Sequence, residues 1–411
     1  MIRPKRGDRL LTVSGLIGQL LIILSAFVIM LVGLSPAPGS FAASEKEANG
    51  GETDELSSGA TLTFPLQAYL PIVRASVVPI PPPLPPPIVM AVKPPVDFEV
   101  EKWWLQQQGL SLSFNKIGFH AGDRGRWSNL VDMMVSLDKA GVPFFLKSTD
   151  NAEPIYIAQE LMKKSGVPHI LVYRRVSGVD NVPNYIADPK DAAAYHWAQH
   201  KAIFPPELDP GYVWVETVNE VDKNRAAWLG EFAYETAQLT MRDGFRWAAF
   251  GWSSGEPEPA DWESPAMLRF LHLASENQDR LAIALHEYSY ELDNIAALYP
   301  YLIGRFQFLF DACDRHGIAR PTVLITEWGW TYNTVPPPDQ AFEDIRWAAR
   351  LYAAYPQVKG AAIWYLGDTP GNIEDQTAAL IPFMWTYSST HYFGVYPGFG
   401  AIDPELFRPT P

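Results

Sequence analysis

The chain is 411 residues long, with a formal net charge of −14 at pH 7, 47% hydrophobic and 19% charged residues. Acidity on that scale excludes the concentrated basic surface that neutralises phosphates, so nucleic acid is not an expected partner. A single cysteine, Cys313, excludes an intrachain disulfide and a multi-cysteine zinc site, and 14 tryptophans exceed what a core alone requires.

At the N-terminus, Arg3, Lys5, Arg6 and Arg9 precede an uncharged, largely apolar run at 10–34. As a helix that run is long enough to cross a hydrocarbon core of about 30 Å, and the flanking charges favour an inside N-terminus. Its length fits a retained signal anchor, whereas Ser40-Phe41-Ala42 offers the small residues a signal peptidase reads. Both readings of 1–43 put the rest outside the cytoplasm, secreted or tethered, with this segment as the one expected membrane contact. Residues 44–99 read as a disordered, Pro-rich linker. Their first part is polar and acidic, and the prolines at 81–83 and 85–87 favour an extended polyproline II spacer.

From 100 to 411 the pattern alternates between strand-like apolar runs and segments of helical period. The expected strands are 115–120, 144–147, 169–174, 213–217, 246–250, 282–288, 322–326 and 360–364. Between them, Leu130, Met133, Met134 and Leu137, and later Phe342, Ile345, Ala349 and Tyr352, recur at three and four residues. Cys313 joins Leu302, Phe306, Leu309 and Phe310 on one predicted helical face, as a small buried hydrophobe. Eight such units predict an α/β fold, the (β/α)8 TIM barrel. An open doubly wound sheet is the rival, but no phosphate-binding glycine turn stands where that fold needs one.

Barrel active sites lie at the C-terminal strand ends, so polar residues closing apolar strands are the candidates. Glu216-Thr217-Val218-Asn219-Glu220 closes the fourth strand, His286-Glu287-Tyr288 the sixth, Thr326-Glu327-Trp328 the seventh and Trp364-Tyr365 the eighth. Carboxylates three strands apart, Glu220 and Glu327, face one another across the mouth and suit cleavage of a glycosidic bond. One protonates the leaving oxygen while the other attacks the anomeric carbon, and a separation of about 5 Å gives net retention. An ionised Glu327 is expected to raise the pKa of Glu220 and keep it protonated as the acid.

The Asn-Glu pair after strand four and the Thr-Glu-Trp after strand seven resemble clan A glycoside hydrolases, including families 5 and 39, over about 115–368. The resemblance implies Glu220 as acid/base and Glu327 as nucleophile. It also implies contact of Asn219 with the sugar 2-hydroxyl, a bond from Tyr288 to the nucleophile with His286 beside it, and Trp364 beneath the reacting sugar. Two features depart from the clan's pattern: Lys147 stands where many members carry an arginine, with Arg174 as a candidate substitute, and Val221-Asp222 follows Glu220 in place of the frequent proline.

Ordinary roles compete with these. Glu216 shares strand parity with Glu220 and is expected in an interior ion pair with Lys147 or Arg174. His120 ends the first strand and is a candidate for lining the sugar pocket. Trp252, Trp262, Trp328 and Trp330 are either subsite walls or core. A metal site from His120, Asp123, His169 and His286 lacks any clustered ligand spacing, so neither metal nor cofactor is expected. The expected function is hydrolysis of a polysaccharide or glycoside; the alternatives are a non-catalytic carbohydrate-binding surface protein and a transglycosylase using the same covalent intermediate. Sugar specificity resides in loops such as 252–262 and 330–338.

Overall fold

Eight parallel strands close into a barrel in the order β10-β3-β4-β5-β6-β7-β8-β9. They are β3 (Ile117–Ala121), β4 (Phe145–Thr149), β5 (Ile170–Arg174), β6 (Val213–Glu216), β7 (Arg246–Trp252), β8 (Leu281–Tyr288), β9 (Thr322–Gly329) and β10 (Val358–Leu366). The computed structural model describes residues 85–94, 96–123, 125, 127–367 and 373–397, all inside the unit Val78–Pro411. The apolar run at 10–34 and most of the Pro-rich segment lie outside the described residues. Among those described, no helix is long and apolar enough to cross a membrane.

All eight expected strands coincide with β3–β10, with ends displaced by at most three residues. The largest extension is that of β9 past residue 326 to Gly329, which draws Glu327 into the strand itself. Of the helices that cover the barrel, Ser128–Lys139 buries Leu130, Met133, Met134 and Leu137, and Pro338–Ala353 buries Ile345, Ala349 and Tyr352. Phe306–Arg315 buries Phe306, Leu309, Phe310 and Cys313. Leu302 precedes that helix and so does not share its face, since the turn around Gly304 (φ 89°) intervenes. Helix ends follow local chemistry: Ser264 accepts a bond from the Met267 amide with Pro265 in the first turn, and Gly166 (φ 79°) closes Glu153–Ser165 in the left-handed region.

The barrel unit begins before residue 100. Strand β1 (Ile88–Ala91) pairs antiparallel with β11 (His391–Val395), whose other edge pairs with β2 (Ser111–Ser113), and the helix Phe98–Gln107 starts at an Asp97 cap. Part of the expected linker is therefore folded. Six residues free of proline follow Pro87, and their amides can enter a ladder that the preceding prolines cannot join.

Side chains of alternate residues fill the barrel in layers. The layer nearer the N-terminal strand ends is apolar: Phe145, Val172, Trp214, Ala248, Ala282, Ala284, Leu324 and Ala362. Burying each large member contributes about 1.5–3 kcal/mol. Gly118 and Gly360 make room for Phe145, because a Cβ at either would come within 1.9 Å of its backbone or ring. Two residues further along β4, β5 and β6 the inward positions become Lys147, Arg174 and Glu216, and β8 passes from Ala284 to His286.

Candidate active site

The charged layer is centred on Glu216, at the end of β6. Neither it nor Lys147 is exposed, and the Lys147 Nζ lies 2.6 Å from Glu216 Oε2. Thr326 donates its hydroxyl to Glu216 Oε1 at 2.8 Å, and Arg174 Nη1 stands 3.8 Å from Oε2. Burial alone would raise the Glu216 pKa, but Lys147, His286 and Arg174 together hold it well below the usual carboxylate range. Glu216 is an interior ion-pair partner, and both of its expected cations reach it.

Glu327 enters this layer through an irregularity in β9. Leu324 and Thr326 point inward by alternation, and the next inward residue would be Trp328. The ladder with β8 instead passes from Leu285↔Ile325 to His286↔Glu327, skipping one residue of β9. Such a bulge re-aims the following side chain, so Thr326 and Glu327 both face the interior. Tyr288 donates its hydroxyl to Glu327 Oε2 at 2.9 Å, while Arg174 Nη1 and Lys147 Nζ approach Oε1 at 3.3 and 3.4 Å. Burial opposes ionisation, but the charges of His286, Lys147 and Arg174 outweigh it and lower the pKa. The result is an ionised, oriented carboxylate.

Glu220 lies in the loop after β6 with its backbone in the left-handed region (φ 48°), pinned by its amide to the Gly251 carbonyl at 2.7 Å. For a residue with a Cβ this conformation is sparsely populated and marks stored strain. It lifts the side chain to the rim: Glu220 is 49% exposed where Glu327 is 8%. The Ser253 hydroxyl donates to Glu220 Oε1 at 3.2 Å, and His286 Nδ1 lies 3.4 Å from the same oxygen.

His286 Nδ1 is also 3.5 Å from Glu327 Oε2, so one ring atom bridges both carboxylates. Burial disfavours its charged form, but Glu327, Glu216 and Glu220 overcome that and raise its pKa to about 9. The bond from His286 is in turn the main cause lowering the pKa of Glu220. This corrects the expectation that Glu327 would raise it. Repulsion from one carboxylate is outweighed by the imidazolium between them, and the proton of the resting site sits on His286. Three carboxylates, Glu216, Glu220 and Glu327, thereby face three cations, Lys147, Arg174 and His286.

Asn219 accepts a bond from Arg174 Nη1, which joins it to the same guanidinium that contacts Glu327. Half-buried Trp364 donates its indole N–H to the Tyr332 carbonyl at 3.0 Å and stacks on Tyr365 at 4.3 Å between ring centroids. His120, expected to line the pocket, has no exposed surface. It meets Trp364 edge-on at 4.8 Å and shares a 2.7 Å hydrogen bond with the Thr149 hydroxyl. It therefore supports the Trp364 ring from behind. Burial, then the charges of Lys147 and Arg174, hold its pKa well below the ordinary value, so it is neutral.

The four further tryptophans considered as subsite walls are core. Trp252, Trp262, Trp328 and Trp330 are buried, and Trp330 donates to Asp344 Oδ2 at 2.7 Å. Their positions beside loops left the choice open, and the loops turn them inward. His169 lies just before β5, at the opposite end, 3.0 Å from Asp138 Oδ1 and stacked on Phe144. Among the described residues no group of three side chains could hold a metal ion. The sequence reading missed Ser253, beside Glu220, and Tyr290, two residues beyond Tyr288 and stacked on it at 6.4 Å. The step of two from Tyr288 was the available signal.

No family model and no curated protein sequence matches the chain. Solved structures with a similar fold include a broad-specificity GH5-4 endoglucanase from Clostridium acetobutylicum, at 13% identity and a TM-score of 0.40, covering 66% of this chain and 96% of that one. They also include a monomeric beta-xylosidase from Caulobacter crescentus (12% identity, TM-score 0.37, covering 64% of this chain) and a mannanase catalytic domain from Streptomyces sp. SirexAA-E. The mannanase shares 15% identity with a TM-score of 0.35, over 63% of this chain and 77% of that one. The chain spans 63% of the xylosidase, less than two thirds. At these identities the likeness is one of fold.

Proposed function

We propose that the protein is a retaining glycoside hydrolase with Glu327 as nucleophile and Glu220 as acid/base. The observation that carries this reading is the single His286 nitrogen within 3.5 Å of both carboxylates. That shared contact holds the nearer oxygens of the two carboxylates to no more than about 7 Å apart, a span that accommodates the roughly 5–5.5 Å of retaining pairs.

In the first step Glu327 attacks the anomeric carbon while Glu220, protonated from His286, delivers that proton to the departing oxygen. The covalent bond removes the charge of Glu327, the strongest support for the imidazolium, so His286 has no cause to reclaim a proton from outside. In the second step water attacks the anomeric carbon, its proton passes through Glu220 to His286, and Glu327 leaves as a carboxylate. The buried network is electrically neutral before and after glycosylation, which avoids an uncompensated charge in a dry site. Arg174 and Lys147 orient Glu327, Tyr288 steadies it, and Asn219 is aimed for the 2-hydroxyl, a contact that assists when it strengthens in the transition state. Water and the two carboxylates suffice for this chemistry. The apolar run at 10–34 supports export, which gives the barrel an extracytoplasmic carbohydrate substrate, as a secreted or tethered enzyme.

The test is to screen the full chain on polysaccharides and on α- and β-linked aryl glycosides, beside Glu327→Gln and Glu220→Gln, and to read the anomeric configuration of the first product by NMR. Retention, with kcat reduced at least about 10³-fold in Glu327→Gln, is the expected outcome. An inverted product would overturn the double displacement. Sugar binding with no turnover on any substrate would replace the enzyme reading with that of a binding protein.

A further inference from the structure

The two carboxylates divide the barrel rim unequally. Between β6 and β9 the short arc holds β7 and β8, and the long arc holds β10, β3, β4 and β5. Trp364 and the cations Lys147 and Arg174 stand on the long arc, so on the hydrolase reading the attacked sugar occupies that side. Its leaving group then departs over the short arc, beside the rim carboxylate that protonates it.

We propose that Tyr290, on the same arc as Ser253 and the Lys223–Glu256 pair, is the binding site for that leaving group, and that the leaving group is itself a sugar. The inference rests on the function proposed above and names its substrate class: an oligosaccharide or polysaccharide, as opposed to a glycoside of a small apolar alcohol.

Tyr290 is a large aromatic, two residues past the end of β8, that the core does not absorb. It is 54% exposed, and its ring lies at 22° to that of Tyr288, which bonds the nucleophile. Its backbone is in the left-handed region (φ 57°), held there by its amide bonding the Trp330 carbonyl at 2.8 Å. That conformation is unfavourable for an aromatic residue, and such strain persists where the surroundings impose it and function uses it. The Ser253 and Ser254 hydroxyls are near enough to the phenol to lower its pKa against the effect of burial, and Ser253 also bonds Glu220. On the same arc, Lys223 Nζ and a Glu256 carboxylate oxygen stand 3.3 Å apart and tie the loops after β6 and β7, near enough for Glu256 to feel the charge of Glu220. An exposed aromatic face on an arc that also carries a cation and a carboxylate matches a ring that is apolar on its C–H face and hydroxylated at its edge. An apolar aglycone would desolvate that pair and give it no partners.

The experiment compares the full chain with Tyr290→Gly on two series sharing a glycone: cellotriose, xylotriose and mannotriose, and the glycosyl fluorides of glucose, xylose and mannose. Fluoride leaves without using a sugar site. Glycine accepts φ 57° without strain, so the variant removes the ring and should keep or raise Tm. The expected result is a fall of about 10- to 100-fold in the ratio of kcat/KM for the trisaccharide to that for the fluoride. Lys223→Met should shift the same ratio in the same direction. An unchanged ratio in both variants, or a lowered Tm with equal losses on both series, overturns the proposal. A wild-type protein that turns over neither series, nor any polysaccharide or aryl glycoside of the wider screen, refutes the hydrolase reading itself, and the leaving-group site with it.

Discussion

The two halves of the barrel interior are built from the same strands, one turn of the pleat apart, and they obey opposite rules. Towards the N-terminal strand ends, Phe145, Val172, Trp214 and Leu324 interlock with alanines and need nothing but volume. Two residues further on, Lys147, Arg174, Glu216 and His286 replace them, and every member depends on the charge of its neighbours. The apolar half gains stability in proportion to area removed from water. In the charged half, desolvation nearly cancels the attraction between partners, so it holds groups in place at little net gain. Rigid packing below is what permits an expensive arrangement above.

The sharpest test of this contrast pairs Lys147→Met with Leu324→Ala. Removing Lys147 leaves Glu216 buried against a weakened set of cations, and a loss of about 3–5 kcal/mol in chemical denaturation is expected. Leu324→Ala should cost a similar amount, about 2–5 kcal/mol, by opening a cavity. Activity separates them. Lys147→Met should reduce kcat by more than tenfold, because Glu327 loses one of its three cations, whereas Leu324→Ala should keep kcat within a few fold at a temperature where it is folded. Equal kcat losses in the two variants would mean that the halves are not functionally distinct.

How much of this could be read beforehand follows the same division. The barrel and its strands were legible because hydrophobic period and strand ends are local properties. Glu216 was legible as an ion-pair partner because parity along one strand is also local. The inward turn of Glu327 was not, since it depends on a bulge set by the ladder with β8. Nor was the proton on His286, which carboxylates from β6, from the loop after it and from β9 create together. Composition misled in two places: the surplus of tryptophan went largely into the core, and β1 was hidden behind the prolines that precede it.

A smaller effect should appear in the pH dependence. The His286 pKa is raised from 6.5 to about 9, so the stability gained by its charged form is complete below pH 6.5 and is lost as pH rises through about 9. Wild-type protein should lose about 1–3 kcal/mol across that window, and His286→Gln should lose none of it. The basic limb of kcat/KM should fall near pH 9 in the wild type and move lower in the variant, whose Glu220 has no proton donor. A basic limb unmoved by His286→Gln would remove the histidine from the proton path.

Glu287, the next residue of β8, supplies the finest contrast because it points out of the barrel while His286 points in. Its Oε2 accepts bonds from the Tyr352 hydroxyl at 2.7 Å and the Gly304 amide at 2.8 Å, and Arg305, the cation that senses its charge, forms no ion pair with it. Burial is accordingly the dominant influence and outweighs those bonds, raising its pKa from 4.5 to about 7. The sign is again that of a raised pKa: the neutral acid favours folding below pH 4.5, and that contribution disappears as pH rises through about 7. Glu287→Gln stays neutral throughout, so it should match the wild type near pH 4 and be more stable by about 1 kcal/mol above pH 7. Its basic limb near pH 9 should be unchanged, since the barrel wall separates it from Glu220 and Glu327. A wild-type stability profile flat between pH 4.5 and 7 would show that Glu287 ionises freely, and that burial on the outer face of β8 does not act as the inner face implies.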